Sequence, residues 1–305
     1  MEAVILGNTR VGYSWFVQTF RQGLIRNGYP VDQIDFRSNS LQSIKNQLIA
    51  IKHKYVFTHL TFHESAHPIS KTLQMYRDVN KAVGTRFVHT CNDARSQDRF
   101  MGDISGAIHM AFVGNLELLK NCPPVWKVPT YFAPYSSLCY DKMKKPSGDL
   151  MFRIPVFTGS VGAHGDRSQF INNLIKRIPI KIIQTQSKED LRHRTAELSA
   201  SAKCILGLCT GYDIDGYIDV RPFQYLGTGA CMIIRKFKGM DNIIPEDLYY
   251  PIDSYDEKGI NKTVSHWAEI KITDTLPMQL KAFNYIQQNH SCEVRLRYIL
   301  QMLER

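Results

Sequence analysis

The sequence predicts an α/β protein made of two successive parallel-sheet units of the Rossmann-like kind. Short apolar, β-branched stretches alternate with amphipathic stretches of helical period, as in a parallel sheet covered on both faces. The alternation halts at the polar, Pro- and Gly-bearing stretch DKMKKPSGDL (141–150) and then restarts. A length of 305 residues suits two domains of ordinary size. The expected division is 1–145 and 146–305.

In the first half, AVILG (3–7) is a strand, SWFVQTFRQGLIRNG (14–28) an amphipathic helix ending at Gly28, and VDQIDFR (31–37) a second strand. A helix near 40–52 leads into the strand YVFTHLTF (55–62). SKTLQMYRDVNKAVG (70–84) is a helix ending at Gly84, followed by the strands TRFVHTC (85–91), AIHMAFVG (107–114) and VWKVPTYFA (125–133). In the second half the strands are RIPVFTGS (153–160), IKIIQ (180–184), KCILGLC (203–209) and ACMIIRKF (230–237). The helices between them are RSQFINNLIKRI (167–178), KEDLRHRTAELSASA (188–202) and a segment from about Pro222 into YLGTG. One long helix over 276–305 closes the chain.

No run of about 18 apolar residues is present, so no membrane span is expected. MEAVILGNTR enters a strand without the marks of a secretory signal, and seven scattered cysteines lack CxxC pairs; both point to a cytoplasmic protein. The net charge is +10 and uneven. Residues 1–150 hold 18 Lys+Arg against 11 Asp+Glu, the remainder 20 against 17, with clusters at KHK (52–54) and KMKK (142–145). A polyanion bound by the first half and ordinary solubility charge both account for this.

HESAHP (63–68) spells the H-E-x-x-H of zinc hydrolases. That chemistry needs a helix, where residues four apart share a face. Here a strand precedes and Pro68 follows, so the string falls on a strand end and a loop and no metal site is expected there. FTGSVGAHGDR (157–167) follows a strand and opens a helix. Gly159, Ser160 and Arg167 there could cradle phosphate oxygens, or the glycines could simply turn the chain. YDIDGY (212–217) carries the D-x-D spacing of Asp213 and Asp215, which suits a hard cation and leaves a divalent metal open, but a solvated loop before the next helix is the expected reading.

DVRPFQYLGTGACMII (219–234) is more specific. Arg221 begins a helix carrying Phe223 and Gln224, and Gly227 and Gly229 end it before an apolar strand. This resembles the R-x-F-E-x-x-x-x-G pattern of the CgeB-like glycosyltransferases, members of the two-domain GT-B group. VFTGSVG with a following Arg, ELSASAKCILGL, NIIPEDLYYPIDSYDE and NHSCEVRLRYIL resemble further segments of that family in the same order. The resemblance implies two Rossmann-like domains facing a cleft and a nucleotide-diphosphate sugar as donor substrate, with no tightly bound cofactor. By position, Arg221 and Arg167 would face the diphosphate, and Gly227 and Gly229 would give the donor room. Gln224 stands where the family has a glutamate for the ribose hydroxyls, and an amide keeps the hydrogen bond without the charge.

The first domain then holds the acceptor, with reactive groups on the loops after its strands. Asp93 is the preferred base, with His63 and Glu64 as the other candidates. The basic first half tilts the acceptor toward a hydroxymethyl pyrimidine in DNA, by analogy with phage DNA glucosyltransferases. A surface or spore glycan or protein is the alternative acceptor, and a DNA-binding protein without catalysis the alternative class.

Overall fold

The structure, a computed structural model, describes residues 3–7, 15–59, 67–91, 103–120, 126–145, 152–159, 161–162, 165–183, 191–210, 212–216 and 219–305. The chain divides into two compact units, Met1–Pro134 with Cys292–Arg305, and Tyr135–Ser291.

The first unit runs β1 (Ala3–Gly7), α1 (Trp15–Arg26), β2 (Val31–Asp35), α2 (Leu41–Ile51), β3 (Tyr55–Thr58), α3 (Ile69–Val83), β4 (Arg86–Cys91), β5 (Met110–Val113), α4 (Leu116–Lys120) and β6 (Thr130–Phe132). Its strands form a sheet in the order β2-β1-β3-β4-β5-β6, each neighbouring pair parallel. Side chains alternate across such a sheet. Ala3 and Ile5 join Phe16, Phe20 and Leu24 of α1 on one face, while Val4 and Leu6 join Ile44, Leu48, Tyr76 and Val79 of α2 and α3 on the other. Both faces are covered, so β1 is apolar throughout. Ser40 caps α2 by accepting the Ser43 N–H, and α3 ends at Gly84 in the left-handed conformation, φ 72°.

The second unit contains β7 (Phe152–Thr158), α5 (Gly165–Ile175), β8 (Lys181–Ile183), α6 (Leu191–Ser201), β9 (Ala202–Gly207), α7 (Val220–Leu226), β10 (Met232–Arg235), β11 (Tyr250–Ile252), α8 (Glu257–Glu269) and α9 (Ile272–His290). A last helix, α10 (Cys292–Leu303), belongs to the first unit. The second sheet is also parallel throughout, in the order β11-β10-β9-β7-β8. In each unit the second strand flanks the first on one side and the third on the other. Each sheet therefore has a switch point, at β1/β3 and at β7/β9, and such points are where open α/β sheets take ligands.

The division differs from the expected 1–145 and 146–305. Residues 135–145 pack within the second unit: Ser137 N donates to His290 O at 2.9 Å and Tyr140 N to Gln287 Oε1 at 3.2 Å. The polar stretch 141–150 is thus not the boundary, and the exposed lysines 142, 144 and 145 belong to the second unit. The closing helix is also two helices, because Ser291 is extended (φ −66°, ψ 156°) between α9 and α10.

Candidate functional site

Three of the site residues named from the sequence, Gly159, Arg167 and Arg221, lie at the β7/β9 switch point. Asp219 is extended at the N-cap of α7 (φ −59°, ψ 154°), and Pro222 occupies the first turn, where its missing N–H breaks no helical bond. This local structure sets Arg221 at the helix start. Its Nε donates to Thr158 O, the last residue of β7, at 2.8 Å, and its Nη1 pairs with Asp219. A β-carbon on Gly159 would stand 2.5 Å from Arg221 Nη2, and Gly159 has φ +132°. Glycine is needed there on both counts.

Arg167 reaches the same place from α5. It is 4 % exposed and its Nη1 donates to Leu208 O, just beyond β9, at 3.4 Å. The two guanidinium carbons lie 5.5 Å (Arg167) and 5.7 Å (Arg221) from the centre of the Phe157 ring. Beneath them Tyr225 donates to Thr158 Oγ1 at 3.1 Å, and burial raises the Tyr225 pKa, which keeps the phenol protonated. The structure thus brings Gly159, Arg167 and Arg221 together, with an anion-seeking character set by the two arginines.

Gln224 lies one turn along α7, where its Nε2 donates to Thr195 Oγ1 of α6 at 2.7 Å. Thr195 and Thr228 are each 1 % exposed; Thr228 Oγ1 donates to Tyr225 O at 2.8 Å and also touches Ser199 Oγ. The space beside the other two glycines is occupied by protein. A β-carbon on Gly227 would meet Ser137 Oγ, and one on Gly229 (φ +88°) would meet Met143 Cγ. Gln287 Nε2 donates to Gly227 O at 2.8 Å. Both glycines let residues 135–145 pack closely on the end of α7.

Asp213 and Asp215 lie on a pinned loop. Gly216 N donates to Lys238 O and Lys238 N to Tyr212 O, each at 2.9 Å, and a β-carbon on Gly239 would stand 2.6 Å from Asp215 Oδ1. Among the described residues no group of three His, Cys, Asp or Glu is arranged to hold a metal ion. His67, the second histidine of H-E-x-x-H, has its Nε2 3.2 Å from Phe36 O and 3.0 Å from Asn39 O. Both are acceptors, so Nε2 carries a hydrogen and donates, and the ring packs against Phe36 at 5.1 Å. His67 thus anchors the turn between β2 and α2. His63, Glu64, Asp93 and Ser160 lie outside the described residues.

At the end of β3 the structure adds a pair that the sequence reading did not single out. His59 and His89 are 2 % and 0 % exposed, with ring centres 6.1 Å apart and Phe16 and Trp126 at either side. Burial holds both imidazoles down to about 3, and both are neutral at physiological pH. The exposed lysines of KHK immediately precede β3, at the opposite end of the sheet from the C-terminal ends of β1, β3 and β4.

Two parallel sheets of matching strand order, with an arginine-bearing helix after the third strand of the second, make this the fold of the two-domain GT-B glycosyltransferases. One structure of this fold is the phage T4 β-glucosyltransferase bound to its UDP-glucose substrate: 11 % identity, TM-score 0.64, covering 98 % of each chain. Another is HepE of Anabaena with UDP and glucose, at 10 % identity and TM-score 0.63 over 100 % of this chain and 99 % of that one. Sucrose-phosphate synthase of Thermosynechococcus elongatus gives 11 %, 0.63, and 100 % and 98 % coverage. Identities this low establish the fold. No family model and no curated protein matches the chain. Among the described residues no helix is long and apolar enough to cross a membrane.

Proposed function

We propose that the protein is a glycosyltransferase that moves a sugar from a nucleotide-diphosphate sugar to an acceptor hydroxyl. The observation that carries this is the convergence of Arg167 and Arg221 over Phe157 at the β7/β9 switch point. Asp219 balances one of the two charges, and a diphosphate offsets the other while accepting hydrogen bonds from both groups. Arg221 and Arg167 bind the diphosphate, and Gly159 lets the Arg221 guanidinium lie close to the end of β7. The Gln224 amide nitrogen is held by Thr195, and its carbonyl oxygen accepts from a ribose hydroxyl. The arginines stabilise the charge that develops on the departing nucleotide, which is the main work of such a transfer.

In this reading the first unit receives the acceptor. Asp93, which follows β4 in the sequence, is the base that takes the hydroxyl proton, with His63 and Glu64 after β3 as the other candidates. Asp93→Asn should remove turnover and leave UDP affinity intact; unchanged turnover would strike Asp93 from the mechanism. A hydroxymethyl pyrimidine in DNA is the acceptor we favour. The net positive charge and the common fold with a DNA-modifying β-glucosyltransferase of phage T4 support it.

The donor half is tested by calorimetric titration with UDP and by release of free UDP from UDP-sugars. Arg221→Ala should reduce UDP affinity at least about 100-fold, as expected for losing a charged group's hydrogen bonds to a diphosphate. Undiminished affinity would show the donor lies elsewhere. The acceptor half is tested by mass spectrometry of nucleosides after incubating hydroxymethylated DNA with a panel of sugar nucleotides. Unmodified bases with every donor would exclude DNA. Gln224 in place of a glutamate favours one second reading, a binding protein without transfer, and UDP binding with no turnover on any acceptor or water would select it.

A further inference from the structure

A second concavity of the same unit lies apart from the arginine pair. It measures about 590 Å³, within the size range of small-molecule sites, and opens between α5 and α8. On one wall Asp166, Gln169 and Asn173 follow one another at spacings of three and four along α5, so they share a helix face. On the other stand Tyr212, Tyr255 and Arg235. The Arg235 guanidinium carbon is 4.4 Å from the centre of the Tyr212 ring and 5.4 Å from that of Tyr255, and its Nη1 donates to Lys236 O at 2.5 Å. The cation sits beside two tyrosine rings that stand at 86° to one another and is held by the Lys236 carbonyl.

The remaining charge at this cavity is negative. Glu257 is paired with Arg177 at 2.6 Å, which leaves Asp166 and Asp256 against Arg235. A phosphate would meet more repulsion than attraction there. Asp166 accepts from the Tyr212 hydroxyl at 3.0 Å, which fixes both groups. What the lining offers is a row of carboxylate and carboxamide groups along one helix face, able to accept and donate, opposite two tyrosines. Vicinal hydroxyls satisfy such donor and acceptor rows, and the C–H faces of a pyranose pack on aromatic rings.

We infer that this cavity is a binding site for a neutral saccharide, distinct from the diphosphate site. The chain just beyond β9 touches both. Leu208 O accepts from Arg167 on the donor side, and the next carbonyl, Cys209 O, accepts from the Tyr255 hydroxyl at 2.5 Å on the cavity side. Gly159, Arg167 and Arg221 are not among the residues that line the cavity.

Saturation-transfer NMR on the full chain tests this, with maltose, cellobiose and lactose as probes and UDP as competitor. At least one disaccharide should receive saturation in the wild type, with UDP present, and in Arg221→Ala. The double variant Gln169→Ala, Asn173→Ala removes two hydrogen-bonding groups from one face of α5, with folding followed by circular dichroism. It should weaken that saccharide at least about tenfold. Transfer to none of the three, transfer undiminished in the double variant, or transfer abolished by UDP or by Arg221→Ala would each overturn the inference. Saccharide binding without any UDP binding would uphold this site while removing the proposed donor site.

Discussion

Replacing Gly159 with alanine tests the core of the donor site with one methyl group. The new β-carbon would stand 2.5 Å from Arg221 Nη2, where ordinary van der Waals contact needs about 3.5 Å. The guanidinium must therefore retreat by roughly 1 Å. That retreat strains or breaks the Nε bond to Thr158 O, now 2.8 Å, and the pairing with Asp219. The backbone adds its own cost, since φ +132° is a region that residues with a β-carbon rarely adopt, worth about 1–3 kcal/mol. Urea denaturation should show a loss of that size. Displacing one charged donor from a diphosphate costs about 1.5–3 kcal/mol, so titration with UDP should show a loss of roughly 10- to 150-fold. Gly162→Ala is the control, because a β-carbon there has nothing within 4 Å, and it should change stability by less than about 0.5 kcal/mol. A Gly159→Ala protein as stable as the Gly162→Ala one, with unaltered UDP affinity, would refute the placement of Arg221 against β7.

Two further outcomes are expected from the first unit. The unfolded chain takes up protons on His59 and His89 near pH 6.5, the folded chain only near 3, so stability due to this pair is complete above pH 6.5 and falls as the pH drops. Between pH 6 and 4, His89→Gln should reduce the pH slope of unfolding free energy by about 1.4 kcal/mol per pH unit, and an unchanged slope in urea titrations would show that His89 is protonated in the fold. His67→Ala should cost about 1 kcal/mol through the lost bonds to Phe36 O and Asn39 O, without altering zinc content by atomic absorption; loss of a stoichiometric zinc ion would restore the metal reading of HESAHP.

The strands and helices of the sheets were legible because alternation and helical period report burial directly. AVILG is buried end to end, and the helix ending before Gly84 stops where glycine takes the left-handed turn. Elements with weak periodic signals escaped the reading. β11 is three residues with Pro251 in the middle, tolerated because it is an edge strand. Arg221 was legible from its place before Phe223 and the glycines. Its local setting was not, since Thr158 lies 63 residues away, and Thr195, which holds Gln224, lies 29 residues away. Gly227 and Gly229 show the limit of reading glycine as open space, because Ser137 and Met143 occupy it. The basic clusters show a similar limit, since KHK and KMKK fall in different units.

The first unit is not finished when its sheet is. Between β6 and the last helix the chain makes the whole of 135–291, and only then supplies Leu296, Ile299, Leu300 and Leu303, which are buried with Phe16, Phe20 and Leu24. The fit is close: a β-carbon on Gly23 would stand 2.5 Å from the Cys292 carbonyl oxygen, and Asn27 Nδ2 donates to Glu293 O at 2.9 Å. The second unit is an insertion within the first. During synthesis the inserted unit has all its residues while its host still lacks a helix, so the apolar flank of α1 waits uncovered until α10 emerges. A stop codon a few residues after 291 would thus spare the unit that it follows and disable the one that began the chain.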